Sequence, residues 1–332
     1  MRKPLLFGFL VVVLLGTGAF LGRLSVRPHS EDQRPGRFPE QIVYVRSADD
    51  VVSAGMMFTP PKEASKPLAI IWVHGWGANF YLPSYVGIGR ALADRGLTTV
   101  SVNTRMHDLG NVEKYTFFDK RVRGGGYWGV TSEDAQDIAA WVSFAEQRGY
   151  NRVVLVGHSA GAASVGRYQA DSTDKRVAGL VFASGGVGEA GQPDDSAEHR
   201  ARVELARKLV AEGAGDDLIR LPNRSYPSYV SAATYLDIEN TPREYGDFFG
   251  TTTSNAPVSR VKVPILAFFG TSGDVGGEKE LDRVRASVRR LSGGARTTTT
   301  TMITHGNHEY VGEEAQVASK ISEWAETTLL RR

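Results

Sequence analysis

The sequence predicts an α/β domain in which helices cover both faces of a mostly parallel β-sheet. Continuous apolar runs at 68–73, 153–156 and 263–269 have the composition of strands that are buried on both faces, as in parallel sheets. Segments with helical patterning, among them 82–95 and 132–148, separate these runs. Because strands that alternate with helices form parallel sheets, we expect one large domain of this class.

Composition excludes several classes of function. The chain has 332 residues, of which 41% are hydrophobic and 23% charged, as in an ordinary globular protein. Outside the first 30 residues, 35 basic residues stand against 37 acidic ones, and no basic run carries interleaved aromatics, so we expect no nucleic-acid partner. Cysteine is absent, which excludes disulfides, thiolate metal sites and a cysteine nucleophile. Metal-ligand spacings and phosphate-binding loops are also absent, so we predict no metal and no cofactor.

The N-terminus predicts export or anchoring. Residues 1–22 combine a charged start with an apolar run at 5–21, which is typical of a secretory signal peptide or an uncleaved membrane anchor. The run is close to the lower limit of about 17 residues for spanning a bilayer. The small residues at 17–19 are a poor cleavage site, so both interpretations stay open. Either one predicts a domain outside the cytoplasm, and the Pro- and Arg-rich residues 23–40 form a flexible spacer.

The apolar run at 153–156 leads into a motif that carries chemistry. Gly157-His158-Ser159-Ala160-Gly161 is a G-x-S-x-G pattern between a predicted strand and a predicted helix. A sharp turn of this kind lifts the serine hydroxyl above the end of the sheet, and its glycines leave room for the strained backbone. The pentapeptide alone also fits an ordinary strand-to-helix turn. With this strand-turn-helix context, the chain resembles the α/β-hydrolase family, with Ser159 as its nucleophile.

The resemblance implies an α/β-hydrolase fold and assigns further positions. The second apolar run ends in His74-Gly75-Trp76-Gly77. A loop of this type after the third strand supplies one oxyanion-hole amide in the family. By position, that donor is the main-chain N–H of Trp76, and the second is the N–H of Ala160. A simple strand-ending turn is the alternative interpretation of this loop, and His74 is expected to be structural.

A carboxylate follows the third apolar run. The resemblance implies that Asp274, four residues after Gly270, orients the catalytic imidazole. Asp274 in its Ser-Gly-Asp context also fits a turn residue. Glu278 and Asp282 on the next predicted helix are weaker candidates.

Two histidines follow the last predicted strand, 297–303. In the family, the catalytic histidine commonly follows a Gly-x pair and precedes an aromatic residue by two positions. His308 meets both conditions and His305 meets neither, so His308 is favoured.

Between 185 and 262 the alternation of strands and helices stops. This stretch, after the sixth predicted strand, contains a polar helix at 196–212 and many aromatic residues. The resemblance implies a cap or lid inserted into a core domain formed by 41–184 and 263–332. Its aromatics would suit an apolar or aromatic substrate group, or would simply pack the cap onto the core.

Ser159, Asp274 and His308 thus occur in the order nucleophile, acid, histidine, each after a predicted strand. This order predicts a serine hydrolase that cleaves a small-molecule carboxylic ester through an acyl-enzyme. An acyltransferase, a peptidase or a haloperoxidase-like enzyme would use the same triad. A noncatalytic binding protein of the same fold is the alternative from another class. The sequence defines neither the acyl group nor the oligomeric state.

Overall fold

The computed structural model describes 38–115, 121–185, 196–221, 228–241, 246–251, 253–291 and 297–331. The predicted signal or anchor at 1–22 and almost all of the predicted spacer lie outside these ranges. Within them, every helix is too short or too polar to cross a bilayer.

The strands form one large sheet and two short hairpins. In chain order the strands are β1 Glu40–Arg46, β2 Val52–Phe58, β3 Ala69–Val73, β4 Thr98–Val102, β5 Asn111–Tyr115, β6 Arg121–Gly124, β7 Val153–His158, β8 Val177–Ala183, β9 Leu218–Arg220, β10 Tyr229–Ser231, β11 Ile265–Gly270 and β12 Thr298–Ile303. The main sheet has the order β1-β2-β4-β3-β7-β8-β11-β12. Among the strands of the main sheet, β2 runs opposite to the other seven, which confirms the predicted mostly parallel sheet.

Helices cover both faces of this sheet. The helices of the described residues are α1 Pro83–Ala93, α2 Asp134–Gln147, α3 Ala160–Ser172, α4 Ala197–Ala211, α5 Ala232–Asn240, α6 Glu278–Leu291 and α7 Glu314–Trp324. Of these, α4 and α5 pack in a separate apolar cluster. Helices α2, α3 and α6 contribute to one apolar core, whereas α1 and α7 contribute to the other. The last turn of α7 continues as a π-helix at Ala325–Leu329.

The central strands alternate between the two cores. In β7, Val153 and Leu155 lie in one core, while Val154 and Val156 lie in the other. All four side chains are fully buried. Each buried aliphatic side chain of this size stabilises the fold by about 1.5–3 kcal/mol, which explains why both faces of the strand are apolar. The continuous apolar runs of the sequence therefore mark the centre of the sheet.

A separate hairpin lies between β4 and α2. There the structure pairs β5 with β6 in antiparallel orientation. This hairpin does not join the main sheet. Strand β8 is therefore the eighth strand in the chain, although it is the sixth strand of the main sheet.

The region between β8 and β11 has its own small apolar cluster. Helix α4, the hairpin β9–β10 and helix α5 pack around Ala206, Ile219, Val230 and Tyr235. Helix α4 begins where the sequence predicts a polar helix, and the Ser196 side chain caps its N-terminus. Among the residues of α4, only Ala206 is buried, which explains the helix's polar composition.

Three of the described aromatics of this region are buried. Phe248 and Phe249 contact Phe182 of β8 and belong to the core of the main domain. Tyr235 is buried within the small cluster. Tyr229 is exposed, while Tyr226 and Tyr245 lie outside the described residues. Phe248 and Phe249 therefore pack this region onto the core, whereas Tyr235 packs within the small cluster.

Candidate active site

Ser159 occupies a strained turn between β7 and α3. Its backbone has φ 52° and ψ −121°, in a region that side-chain-bearing residues rarely adopt. A Cβ added to Gly157 would lie 2.3 Å from the carbonyl oxygen of Gly161. A Cβ on Gly161 would lie 2.4 Å from the carbonyl oxygen of His74. Both glycines of the G-x-S-x-G motif are therefore required by close backbone packing around the serine.

His308 connects the serine to a carboxylate. Its Nε2 lies 3.1 Å from the Ser159 hydroxyl oxygen, and its Nδ1 lies 2.8 Å from Oδ1 of Asp274. An ionised carboxylate only accepts hydrogen bonds, so Nδ1–H donates to Asp274 and Nε2 is left to accept from the serine. The hydrogen-bonded Asp274 carboxylate raises the pKa of His308 above its ordinary value. The structure thus brings together the three residues predicted as a triad.

Asp274 is held at both carboxylate oxygens. Its side chain is completely buried. Oδ2 accepts from the Gly270 main-chain N–H at 2.6 Å and from the Ser184 hydroxyl, and Oδ1 also accepts from the Val275 N–H at 2.7 Å. Burial alone would raise the pKa of Asp274, but hydrogen bonds from His308, Ser184 and these amides hold it below its ordinary value. Asp274 is therefore an ionised acceptor with a fixed orientation.

Sequence reasoning missed two members of this network. Ser184 directly follows β8 and is fully buried, with a positive φ of 47°. Its hydroxyl contacts both Asp274 and the hydroxyl of Tyr310. Because Ser184 donates its one proton to the carboxylate, Tyr310 donates to Ser184. A polar residue directly after the sixth main-sheet strand was the available signal for Ser184.

The loop after β3 packs against the nucleophile turn. A Cβ on Gly75 would lie 2.9 Å from Cβ of Ser159. His74 is buried and lies within the loop, where Nδ1–H donates to the Gly75 carbonyl at 2.6 Å and Nε2 accepts from the Thr104 N–H at 3.1 Å. The loop that carries Trp76 therefore meets the first turn of α3 at Ser159.

The first turn of α3 begins at Ala160. Amides in the first turn of a helix have no acceptor within that helix, so the Ala160 N–H is available to a ligand in this geometry. The helix dipole adds partial positive charge at the same place.

The alternative candidates lie away from this cluster. His305 is exposed, and its main-chain N–H donates to the Thr271 hydroxyl at 2.8 Å. Glu278 and Asp282 instead contact Arg285 on the same helix. Within the described part of the chain, no group of histidine, aspartate and glutamate side chains is suited to bind a metal ion.

The region between β8 and β11 touches the loop that carries Trp76. The Trp76 side chain packs against the small cluster formed by α4, β9, β10 and α5. A Cβ on Gly126 would lie 2.7 Å from Nε1 of Trp76. The main-chain N–H of Ser231 donates to the Tyr127 carbonyl at 2.7 Å, and the Trp128 indole donates to the Asp216 carbonyl at 2.8 Å. Residues 125–129 therefore lie between this region and the nucleophile side of the domain.

Comparison with solved structures shows the same fold in several hydrolases. The chain is similar to the alpha/beta hydrolase GrgF from Penicillium sp. sh18, with a TM-score of 0.63 and 12% identity over 88% of this chain and 100% of that one. Est1E from Butyrivibrio proteoclasticus, solved with ferulic acid bound, has a TM-score of 0.57 and 14% identity over 87% and 100% of the two chains. The esterase Pf2001 from Pyrococcus furiosus has a TM-score of 0.53 and 14% identity over 88% and 94%.

Sequence identities of 12–14% establish likeness of fold alone. No curated protein sequence matches the chain. A family model described as "Alpha/beta hydrolase family" matches residues 70–319, which is most of the chain. The matched range includes Ser159, Asp274 and His308. The chain belongs to the alpha/beta hydrolase family.

Proposed function

We propose that this protein is a serine hydrolase that cleaves small-molecule carboxylic esters. The observation that carries the proposal is the position of His308, whose two ring nitrogens lie within hydrogen-bond distance of Ser159 and Asp274. The Asp274 carboxylate fixes the ring proton on Nδ1, so Nε2 is free to accept the serine proton. The structural likeness to esterases supports an ester as the substrate.

The reaction proceeds in two halves. Nε2 of His308 takes the proton of Ser159 while the serine oxygen attacks the ester carbonyl carbon. Collapse of the tetrahedral intermediate breaks the bond to the alcohol, which leaves with the proton from His308. Water then attacks the acyl-enzyme with His308 again acting as base, and the carboxylic acid and free Ser159 result. Asp274 stabilises the imidazolium in each half.

The negative charge of both tetrahedral intermediates needs donors at fixed positions. We assign this role to the main-chain amides of Trp76 and Ala160. The close approach of Gly75 to Ser159 and the position of Ala160 at the start of α3 support the assignment. Loss of one donor of this kind typically costs about 3 kcal/mol of activation free energy.

The insertion at 185–262 is proposed to act as the cap over this site. Its contacts with Trp76 and with residues 125–129 support that role. Est1E binds ferulic acid, so aromatic acyl esters belong in the first substrate panel.

We also propose that residues 1–22 export the domain or hold it at a membrane, with the enzyme outside the cytoplasm. The charged start and the apolar run at 5–21 support this location. N-terminal sequencing of the exported protein would distinguish a cleaved signal from a retained anchor. Recovery of the full chain in the cytoplasm would contradict the proposal.

Labelling with a fluorophosphonate probe tests the function directly. We expect an adduct on Ser159 that is absent in Ser159→Ala, together with hydrolysis of p-nitrophenyl esters by the wild-type chain alone. His308→Ala should lose both the labelling and the hydrolysis, while the matched control His305→Ala should keep them. A folded wild-type protein that neither reacts with the probe nor hydrolyses any ester would refute the proposal and point to a binding protein.

A further inference from the structure

His158 lies directly behind the site, between α1 and the loop that carries His308. Its side chain is buried, with 1% of its surface exposed. Nε2 lies 2.7 Å from the main-chain carbonyl oxygen of His308, and Nδ1 lies 2.6 Å from the Tyr85 hydroxyl. The imidazole also stacks on Trp72, with ring centroids 6.4 Å apart and 16° between the planes. Both nitrogens and one ring face are therefore engaged.

These contacts define the tautomer of His158. A carbonyl oxygen can only accept, so Nε2 carries a proton and donates it to His308. In the neutral ring Nδ1 then accepts, and the Tyr85 hydroxyl is its donor. The His308 carbonyl thus sets the tautomer, and the hydrogen bond donated by Tyr85 stabilises it.

The surroundings keep this ring neutral. Burial lowers the pKa of His158 to about 4, and positive charge on His308 acts in the same direction. The other titratable groups around it are Asp274, which partly offsets this shift, and the hydroxyls of Tyr85 and Tyr310. The two imidazole centroids lie 4.8 Å apart, so only one of the rings can readily carry a proton. His308 is the ring whose pKa the carboxylate raises.

We propose that His158 is a positioning residue, which holds the His308 loop in place through the carbonyl of His308 and whose tautomer is stabilised by Tyr85. The inference rests on the proposed function, because it assigns a catalytic purpose to the location of His308. The His308 main chain is fixed from behind by His158, and its side chain is fixed by Asp274. Two separate anchors therefore set the 3.1 Å distance between His308 Nε2 and Ser159. A displacement of about 1 Å in such a geometry costs up to about a hundredfold in rate.

Histidine-selective ¹⁵N NMR of the full chain tests the tautomer without any activity measurement. We expect His158 to show a protonated Nε2 and an unprotonated Nδ1 from pH 8 to pH 5, while His308 titrates. Tyr85→Phe should reduce this preference between tautomers. Titration of His158 in the ordinary histidine range, or a protonated Nδ1, would overturn the inference. The NMR signals report the tautomer of His158 whether or not the protein hydrolyses esters. The test therefore remains informative even if Ser159→Ala retains ester hydrolysis, a result that would refute the proposed function.

Matched variants test the positioning role itself. His158→Phe keeps a ring but removes the donor, and we expect kcat to fall about tenfold to a hundredfold with KM nearly unchanged. The acid limb of kcat/KM should also move to lower pH, because a looser His308 loses part of its bond to Asp274. Glu309, the other charged group beside His308, is unchanged in this variant.

His158→Gln restores an amide donor of similar reach and should recover most of the lost rate. An unchanged rate in His158→Phe would overturn the positioning role. A fall in kcat that only parallels a lower melting temperature would also overturn it, if the acid limb does not move and His158→Gln does not recover the rate.

Discussion

The Ser184 hydroxyl donates a hydrogen bond to the Asp274 carboxylate, and Tyr310 donates to the same hydroxyl. Ser184 directly follows β8, Asp274 follows β11 and Tyr310 lies two residues after His308 in the chain. The chain of hydroxyls therefore joins the acid loop to the histidine loop by a route separate from the direct bond between Asp274 and His308. The ends of β8 and β11 and the loop that carries His308 and Tyr310 therefore jointly determine the orientation of the Asp274 carboxylate.

We expect removal of the Ser184 hydroxyl to weaken this orientation. Hydrogen bonds to charged groups contribute about 1.5–3 kcal/mol, so Ser184→Ala should lower kcat for ester hydrolysis by roughly tenfold or more. KM should change little, because Ser184 is buried beneath the site. Steady-state kinetics with a short-chain ester measures both parameters.

Two further variants distinguish the effect of losing the Ser184 hydroxyl from the effect of strain in the Ser184 backbone. Ser184→Gly also lacks the hydroxyl but tolerates the positive φ at this position, so it should lose activity like Ser184→Ala without the added strain. Tyr310→Phe leaves Ser184 in place and should show a smaller loss. Full activity in Ser184→Gly would contradict the expected role.

The pH dependence of kcat/KM follows from the raised pKa of His308. The enzyme needs neutral His308, so activity is lost as pH falls through that pKa, which lies above the ordinary value of 6.5. The acid limb should therefore lie at higher pH than for an unperturbed histidine. Asp274→Asn removes the carboxylate that raises the pKa and should shift the limb downward as well as lower the rate. A limb below pH 6.5 in the wild type would be inconsistent with this geometry.

The apolar runs predicted the centre of the fold because both faces of those strands are buried. Each run contributes side chains to two cores, so the hydrophobic signal is continuous and long enough to recognise. The β5–β6 hairpin has no such signal, because it is a two-stranded ribbon outside the main sheet. Neither strand of this hairpin has a continuous apolar run in the sequence.

Some residues of the site could also be predicted from the sequence, and others could not. Ser159, Asp274 and His308 follow strands at the same edge of a parallel sheet, so their order along the chain predicts that they meet. Ser184 and His158 contact residues that are distant in the chain, and no local pattern encodes these contacts. Their hydrogen-bond partners lie 90 and 150 residues away in the chain. Hydrogen-bond partners of this kind can be identified only when the order of the strands in the sheet is known.

A buried carboxyl apart from the triad predicts a pH-dependent stability. Asp134 at the start of α2 is buried and accepts from the Ser164 hydroxyl at 2.8 Å. Burial, together with the nearby Asp137, raises the pKa of Asp134 to about 7 from the ordinary 3.8. The folded state therefore retains a proton that the unfolded state releases between pH 4 and 7, so the stability falls as pH rises through that window.

Asp134→Asn keeps an acceptor for Ser164 without the buried charge. We expect its free energy of unfolding at pH 8 to exceed the wild-type value by about 1–3 kcal/mol, with a smaller difference at pH 4. Asp94→Asn, at an exposed position, is the matched control and should change little at either pH. Urea denaturation at the two pH values measures the effect. A difference that does not vary with pH would exclude a buried carboxyl of raised pKa.

The close approach of Gly126 to Trp76 predicts that a larger residue at Gly126 lowers the rate of the reaction at Ser159. A Cβ at Gly126 would lie 2.7 Å from Nε1 and 3.1 Å from Cδ1 of the Trp76 indole, so Gly126→Ala must displace that ring. The indole shares a residue with the proposed oxyanion donor, and a full loss of one donor costs about 3 kcal/mol. A partial displacement should lower kcat by roughly threefold to thirtyfold.

Gly246→Ala is the matched control for this substitution. A Cβ there meets no atom within 4 Å, so the variant should keep the wild-type kcat and melting temperature. The rate of fluorophosphonate labelling should fall with kcat in Gly126→Ala, because the probe forms the same kind of tetrahedral centre on Ser159. Normal labelling with reduced ester turnover would place the defect in substrate access through the insertion. Wild-type values for both would mean that the Trp76 side chain moves independently of its main-chain amide.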